Sequence, residues 1–148
     1  MLTRPFRPPD MPGLMPYLSV ADVEKSMAFY TAAFNFKPVG DPMVQNGRIV
    51  HADMRFLDNR IMLGAEGAFG SPAQSPKSTG NIQGTVIYIY CEDIDGQYQR
   101  VQEAGAEITM PIEDQFWGDR IFQAADPDGY RWTFAQNVAD FDPAKIPG

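Results

Sequence analysis

Residues 17–34, YLSVADVEKSMAFYTAAF, and residues 88–105, YIYCEDIDGQYQRVQEAG, decide how this chain is read. Each opens with an apolar-alternating run, meets an Asp, and continues as an amphipathic helix pattern. Set side by side, Asp22 falls on Asp93 and Val23 on Ile94, at an offset of 71 residues in a chain of 148. A repeat that long is no solenoid unit; it indicates a duplicated module. Asp22 reads as the N-cap of the first helix, residues 25–33 as its body, and Val23, Met27, Phe29, Tyr30 and Phe34 as its apolar positions. Gly105 stops the second helix.

Outward from these segments the same order of elements recurs. RIVHADMRF, a turn at Asp58-Asn59, and RIMLGAE read as a hairpin in the first half. EITMPI and then FWGDRIFQAADPDGYRWTF, folded at Asp126-Pro127-Asp128-Gly129, read as strands closing the second half. The expected organisation is a Pro-rich arm at 1–14, a first βαβββ module at 15–66, and a mobile Gly/Ser/Pro-rich connector at 67–84. A second module at 85–138 and a tail at 139–148 complete it.

Composition bounds the function. At 44% hydrophobic and 21% charged the chain is an ordinary globular one, long enough for one compact domain or two small halves sharing a core. With 12 basic and 19 acidic residues its net charge is −7, which repels nucleic acid and anionic membranes and mildly favours cationic ligands. No apolar run approaches a bilayer-spanning length, and the scattered prolines near the start break any signal-peptide pattern, so a cytoplasmic location is expected. The lone Cys91 lies in an apolar strand run and reads as a buried thiol, not a nucleophile. P-loop and G-x-S-x-G patterns are absent from the sequence.

The duplicated unit, with SVADVEKSMAFYTAAF early, AGAEITMP in the middle and DPDGYRWTF at the end, resembles the vicinal oxygen chelate superfamily, which includes glyoxalase I, bleomycin-resistance proteins and extradiol dioxygenases. The resemblance covers roughly residues 15–137. It implies an α+β fold in which tandem βαβββ modules form a curved mixed sheet around a cavity, with helices on the outer face. It also implies homodimers. The Trp-Gly pair before the last hairpin is similar to one in bleomycin-resistance proteins.

Metal-dependent relatives place His or Glu side chains at four strand positions, because a divalent ion needs imidazole or carboxylate lone pairs. Carried over by the resemblance, these positions hold Met15, Met62, Val86 (or Thr85, with a one-residue slip) and Thr133. With His51 the only histidine, no metal site of the family's kind and no cofactor are expected. His51, Asp53 and Arg55 share strand parity, which suits either an acid/base cluster or a solvated or dimer-facing surface. His51 is expected outside the pocket.

Strand alternation sends Ile61, Leu63, Ile87, Ile89, Cys91, Trp132 and Phe134 under the helices. It sends Tyr17, Ser19, Met62, Tyr88, Tyr90 and Thr133 to the opposite side, with Trp117 and Arg120 near the rim. The candidate ligand-binding set is therefore Tyr17, Met62, Tyr88, Tyr90, Trp117, Arg120 and Thr133, a lining suited to an aromatic or cationic small molecule. Arg120 is read as pairing with Asp119 or Glu113, or closing over an anionic ligand. Two further readings stand beside binding: a superfamily enzyme (lyase, isomerase or dioxygenase-like) with a displaced metal or none, and an interaction module whose cavity is filled.

Overall fold

The computed structural model describes residues 3–148. Of the arm expected at 1–14, Met1 and Leu2 lie outside the described residues; residues 3–14 form neither helix nor strand.

In the first module β1 (Tyr17–Val20) runs into α1 (Val23–Ala32), and the Asp22 carboxylate caps that helix by accepting the Lys25 backbone N–H at 3.1 Å. Three strands follow: β2 (Lys37–Gln45), β3 (Arg48–Phe56) and β4 (Asn59–Ala65). β2 carries Pro38 and Pro42, which a central strand would not tolerate. It lies at the sheet edge, and its register slips between Val39 and Met43. Asn46 and Gly47 join β2 to β3 with φ of 52° and 75°, the left-handed pair a two-residue hairpin turn needs. The next turn is Leu57-Asp58, not Asp58-Asn59. Asn59 instead opens β4 opposite Phe56, and its side-chain amide donates to the Phe56 carbonyl.

The connector is more ordered than its composition suggests. It holds a 3-10 turn (Ala68–Gly70) and the short α2 (Pro76–Thr79), capped by Ser75, which is fully buried and whose N–H donates to Glu66. The second module repeats the first as β5 (Ile87–Tyr90), α3 (Ile94–Glu103), β6 (Glu107–Asp114), β7 (Asp119–Ala125) and β8 (Arg131–Asn137), with Asp93 capping α3.

Each module forms a four-stranded mixed sheet, in the orders β1-β4-β3-β2 and β5-β8-β7-β6, with the β1/β4 and β5/β8 pairs parallel. Tyr17 stands opposite Met62, and Tyr88 opposite Thr133, so the 71-residue offset holds for whole strand pairs. The fold is α+β, two βαβββ modules.

One core joins the modules. Tyr30 of α1 and Phe34 and Phe36 from the link after it meet Trp132 and Phe134 of β8, all five with no exposed surface, in mostly edge-to-face contacts. α3 closes the far side, where Gln97 donates to the Phe34 carbonyl and Arg100 to those of Thr31 and Ala32. The Asp-Pro-Asp-Gly turn between β7 and β8 latches the halves together, since Asp128 accepts from the Ala21 N–H at 2.9 Å and the Ser26 hydroxyl at 3.2 Å. Cys91 is buried, and burial pushes its thiol up to about 11, so it stays protonated and inert.

The helices and the shared core thus occupy one face of each sheet. On the opposite, open faces Tyr17, Tyr88 and Tyr90 stand 54%, 43% and 54% exposed. Among the described residues no helix is long and apolar enough to cross a membrane.

Candidate functional site: an aromatic cage over a buried carboxylate

The open face of the second sheet carries its chemistry at the end where β7 begins. Asp119, the first residue of β7, is only 2% exposed. One of its oxygens accepts from the hydroxyls of Tyr88 at 2.6 Å and Tyr90 at 2.7 Å and from the indole N–H of Trp117 at 3.2 Å. The other accepts from the Asn137 amide at 3.1 Å. Strand alternation assembles the set. Tyr88 and Tyr90 share parity on β5, Asn137 is the register partner of Asp119, and the turn before β7 brings the Trp117 indole N–H to the Tyr88 hydroxyl at 3.1 Å.

Burial alone would push the Asp119 carboxyl up. The donors Tyr88, Tyr90, Asn137 and Trp117 outweigh it and hold the group below its ordinary value, so it is ionised at neutral pH. The same carboxylate, together with burial, raises both tyrosines, which stay neutral; for Tyr88 burial is the larger cause, for Tyr90 the bond to Asp119. A fixed negative charge therefore lies at the hydroxyl ends of two exposed phenols.

The turn is clamped from behind. Gly118 has a φ of 102°, and a Cβ there would run into the Ala139 carbonyl. The Gly118 carbonyl accepts from the N–H groups of Val138 and Ala139, while Phe116 packs on Phe141. The tail thus sets the position of Trp117.

The first sheet's open face is built differently. His51 donates through Nε2 to the Asp53 carboxylate at 2.8 Å, and its Nδ1 lies 3.4 Å from the Tyr17 hydroxyl. Asp53 also receives the guanidinium of Arg60. The Tyr17 ring covers Gly64, where any Cβ would collide with it. His51 thus lies on the open face of the first sheet, away from Tyr88, Tyr90 and Trp117. It shares the face with Tyr17 and Met62, because alternation on β3 puts 51 and 53 in register with Gly64 and Met62 of β4. The arginine that completes this cluster is Arg60 across the strand pair, not Arg55.

The candidate residues thus divide. Tyr88, Tyr90 and Trp117 converge, and Thr133 lies beside Tyr88 on the same face, buried. Tyr17 and Met62 face outward on the other sheet. Arg120 goes elsewhere: one residue past Asp119, it points to the helix side and pairs with Asp114 at 2.6 Å and with Asp95 of α3 at 3.1 Å, not with Asp119 or Glu113. Asp119 and Asn137 were missed by the sequence reading. The parity of D-R-I-F-Q-A-A, which puts Asp119 with Ile121 and Gln123 opposite the core-facing Phe122 and Ala124, was the signal available.

A divalent ion of the kind bound by metal-dependent relatives does not fit. Met15 and Val86 precede β1 and β5, and the register partners of Met62 and Thr133 are Tyr17 and Tyr88. Thioether, phenol and aliphatic hydroxyl are poor donors for such an ion.

These features agree with comparisons to known proteins. The glyoxalase/bleomycin resistance protein/dioxygenase superfamily matches residues 14–134. An uncharacterized protein of Mycobacterium bovis is 33% identical over 137 residues, covering 91% of this chain and 90% of its own length. A bleomycin resistance protein of Staphylococcus aureus is 30% identical over 137 residues, covering 84% and 96%. The crystal structure of TioX from Micromonospora sp. ML1 superposes with a TM-score of 0.69 at 23% identity, covering 85% of this chain and all of that one. The chain belongs to the glyoxalase/bleomycin resistance protein/dioxygenase superfamily.

Proposed function

We propose that the protein binds, without a metal, a small molecule that presents an aromatic or quaternary cation to the cage of Tyr88, Tyr90 and Trp117. The observation carrying this reading is the ionised Asp119 that accepts from the hydroxyls of both tyrosines and from the indole N–H of Trp117. A phenol that donates to a carboxylate has an electron-richer ring, and exposed electron-rich rings attract cations. A cation about 6 Å from a carboxylate gains roughly 3 kcal/mol at an effective dielectric constant of about 20. The similarity to bleomycin resistance proteins supports sequestration as the use of such a site. Glyoxalase I chemistry is not expected, since it needs a metal to polarise the substrate's oxygens.

The test is a titration of tryptophan fluorescence with bleomycin and with benzyltrimethylammonium, against the uncharged neopentylbenzene. Saturable quenching by the cations, and by the hydrocarbon only at much higher concentration, is the expected result. Equal response to charged and uncharged probes would sink the cation reading.

A second reading, an enzyme of the superfamily, draws on one observation: His51 is oriented by Asp53 with its other nitrogen towards Tyr17. Any measured turnover that survives His51→Ala would remove it.

A further inference from the structure

Arg131, the first residue of β8, has a history visible in the duplication. Its equivalent in the first module, 71 residues earlier, is Arg60, whose guanidinium is held by Asp53 on the neighbouring strand. Asp53 is the register partner of Met62; the register partner of Thr133, the equivalent of Met62, is Gln123. The second module thus keeps the arginine and replaces its carboxylate with a neutral amide. The result is measurable: Arg131 Nε is buried without a hydrogen-bond partner, the only such side-chain nitrogen or oxygen among the described residues. Nor does Arg131 enter any ion pair among them.

Arg131 borders a groove of about 420 Å³ at the starts of β1 and β5. Tyr17, Ile87, Tyr130 and Met15 give it apolar walls, and Gln83 and Thr85 add neutral hydrogen-bonding groups. Arg131 is the only charged residue among those lining it, in a chain whose net charge is −7. Arg131 also edges a second cleft, lined by Glu107 and Asp126. Asp126 is occupied there by Tyr30, Tyr130 and Asp128, and Glu107 makes no ion pair with Arg131.

A buried guanidinium N–H without an acceptor is costly, and a planar carboxylate, which can accept from Nε and a terminal nitrogen together, is its best complement. We propose that Arg131 anchors the carboxylate of a small aromatic or aliphatic acid whose apolar body lies between Tyr17, Ile87 and Tyr130. This site is distinct from the tyrosine cage. Arg131 and Asn137 lie at opposite ends of β8, about 20 Å apart at the rise of an extended strand. The protein therefore has a place for an acid and a place for a cation, filled by two ligands or by one long zwitterion.

Calorimetric titration with 4-bromobenzoate tests this, with 4-bromobenzamide as the neutral isostere. Saturable binding of the acid, absent for the amide, is expected, with affinity at least tenfold weaker in Arg131→Met and partly retained in Arg131→Lys. Equal binding of acid and amide, or an Arg131→Met protein that binds the acid as well as the parent, would overturn it. Should either variant fail to fold, crystals of the unaltered protein grown with 4-bromobenzoate decide. Anomalous scattering from bromine in this groove supports the site, and bromine elsewhere or nowhere removes it. Because 4-bromobenzoate carries no cation, its result is independent of the cage.

Discussion

The Tyr30 hydroxyl, on the helix of the first module, donates to the Asp126 carboxylate in the last hairpin turn of the second, across 96 residues of chain. The same hydroxyl accepts from the Trp132 indole at 3.0 Å. Two partners at the centre of the shared core thus depend on one oxygen. Tyr30→Phe leaves a buried indole N–H without an acceptor and a buried carboxyl with one donor fewer. A loss of about 2–4 kcal/mol in unfolding free energy is expected. Urea denaturation monitored by far-UV circular dichroism checks it; a loss below 1 kcal/mol would mean the pair does not hold the modules together.

Asp126 also gives the fold a pH dependence of unusual sign. Burial, opposed by the bonds from Tyr30, Tyr130 and Asp128 and reinforced by the charge of Asp128, pushes its carboxyl from 3.8 up to about 6. A raised value means that folding favours the protonated form. Its contribution is therefore full below about 3.8 and is lost as pH rises through about 6. At about 1.4 kcal/mol per pKa unit, up to about 3 kcal/mol disappears across that window. Asp114 and Asp119, held low by their partners, act oppositely and only at more acid pH. The stability of the parent minus that of Asp126→Asn should fall between pH 4 and pH 7, and a flat difference would contradict the assignment.

Much of this was legible in the sequence because it follows from periodicity. The strand–Asp–helix repeat fixed the modules, and alternation sent Ile89, Trp132 and Phe134 to the core and Tyr88 and Tyr90 to the other face. The partners of those tyrosines were not legible. Asp119 looked like a surface acid beside Arg120, and only the β7/β8 register brings it to the hydroxyls of two phenols from a strand 29 and 31 residues away. The arginine that joins His51 and Asp53 was not legible for the same reason, since the β3/β4 pairing supplies Arg60 in place of Arg55. β2 went unread because its prolines look like loop, and only its edge position makes them tolerable.

Gly118 should matter more than its size suggests. Its positive φ and the Ala139 carbonyl against its α-carbon leave no room for a side chain. Gly118→Ala is expected to lift the tail and displace Trp117, red-shifting tryptophan emission while leaving the far-UV spectrum unchanged. Unaltered emission would show that the tail does not set the cage.

Chelation should leave the melting temperature unchanged, because Met62, Thr133, Tyr17 and Tyr88 occupy the paired strand positions and none is a good donor for a divalent ion. A drop of several degrees with EDTA, reversed by zinc or nickel, would refute this.

Self-association is expected through the edge strand β2, which exposes Met43 and Val44 to solvent in the single chain. Sedimentation equilibrium at micromolar concentration should give a dimer. The arm, with Phe6 and Leu14 about nine-tenths exposed, is expected to lie against the partner. A chain starting at Met15 should dimerise more weakly. A monomeric parent rejects the first expectation, and a truncation of undiminished affinity rejects the second.

The cage makes the sharpest prediction, because its two ingredients separate by mutation. Trp117→Ala or Tyr88→Ala removes an aromatic wall, and aromatic anchors of this kind cost about 2 kcal/mol or more, roughly thirtyfold in affinity. That loss should fall on charged and neutral aromatic probes alike. Asp119→Asn keeps an acceptor for the tyrosines but removes the charge. It should weaken benzyltrimethylammonium at least tenfold, and any neutral aromatic ligand much less. The ratio of the two affinities, read by competition calorimetry because Trp117 is itself part of the site, is the quantity that decides. If Asp119→Asn lowers both equally, the carboxylate serves only to position the rings, and the preference for cations has no electrostatic origin.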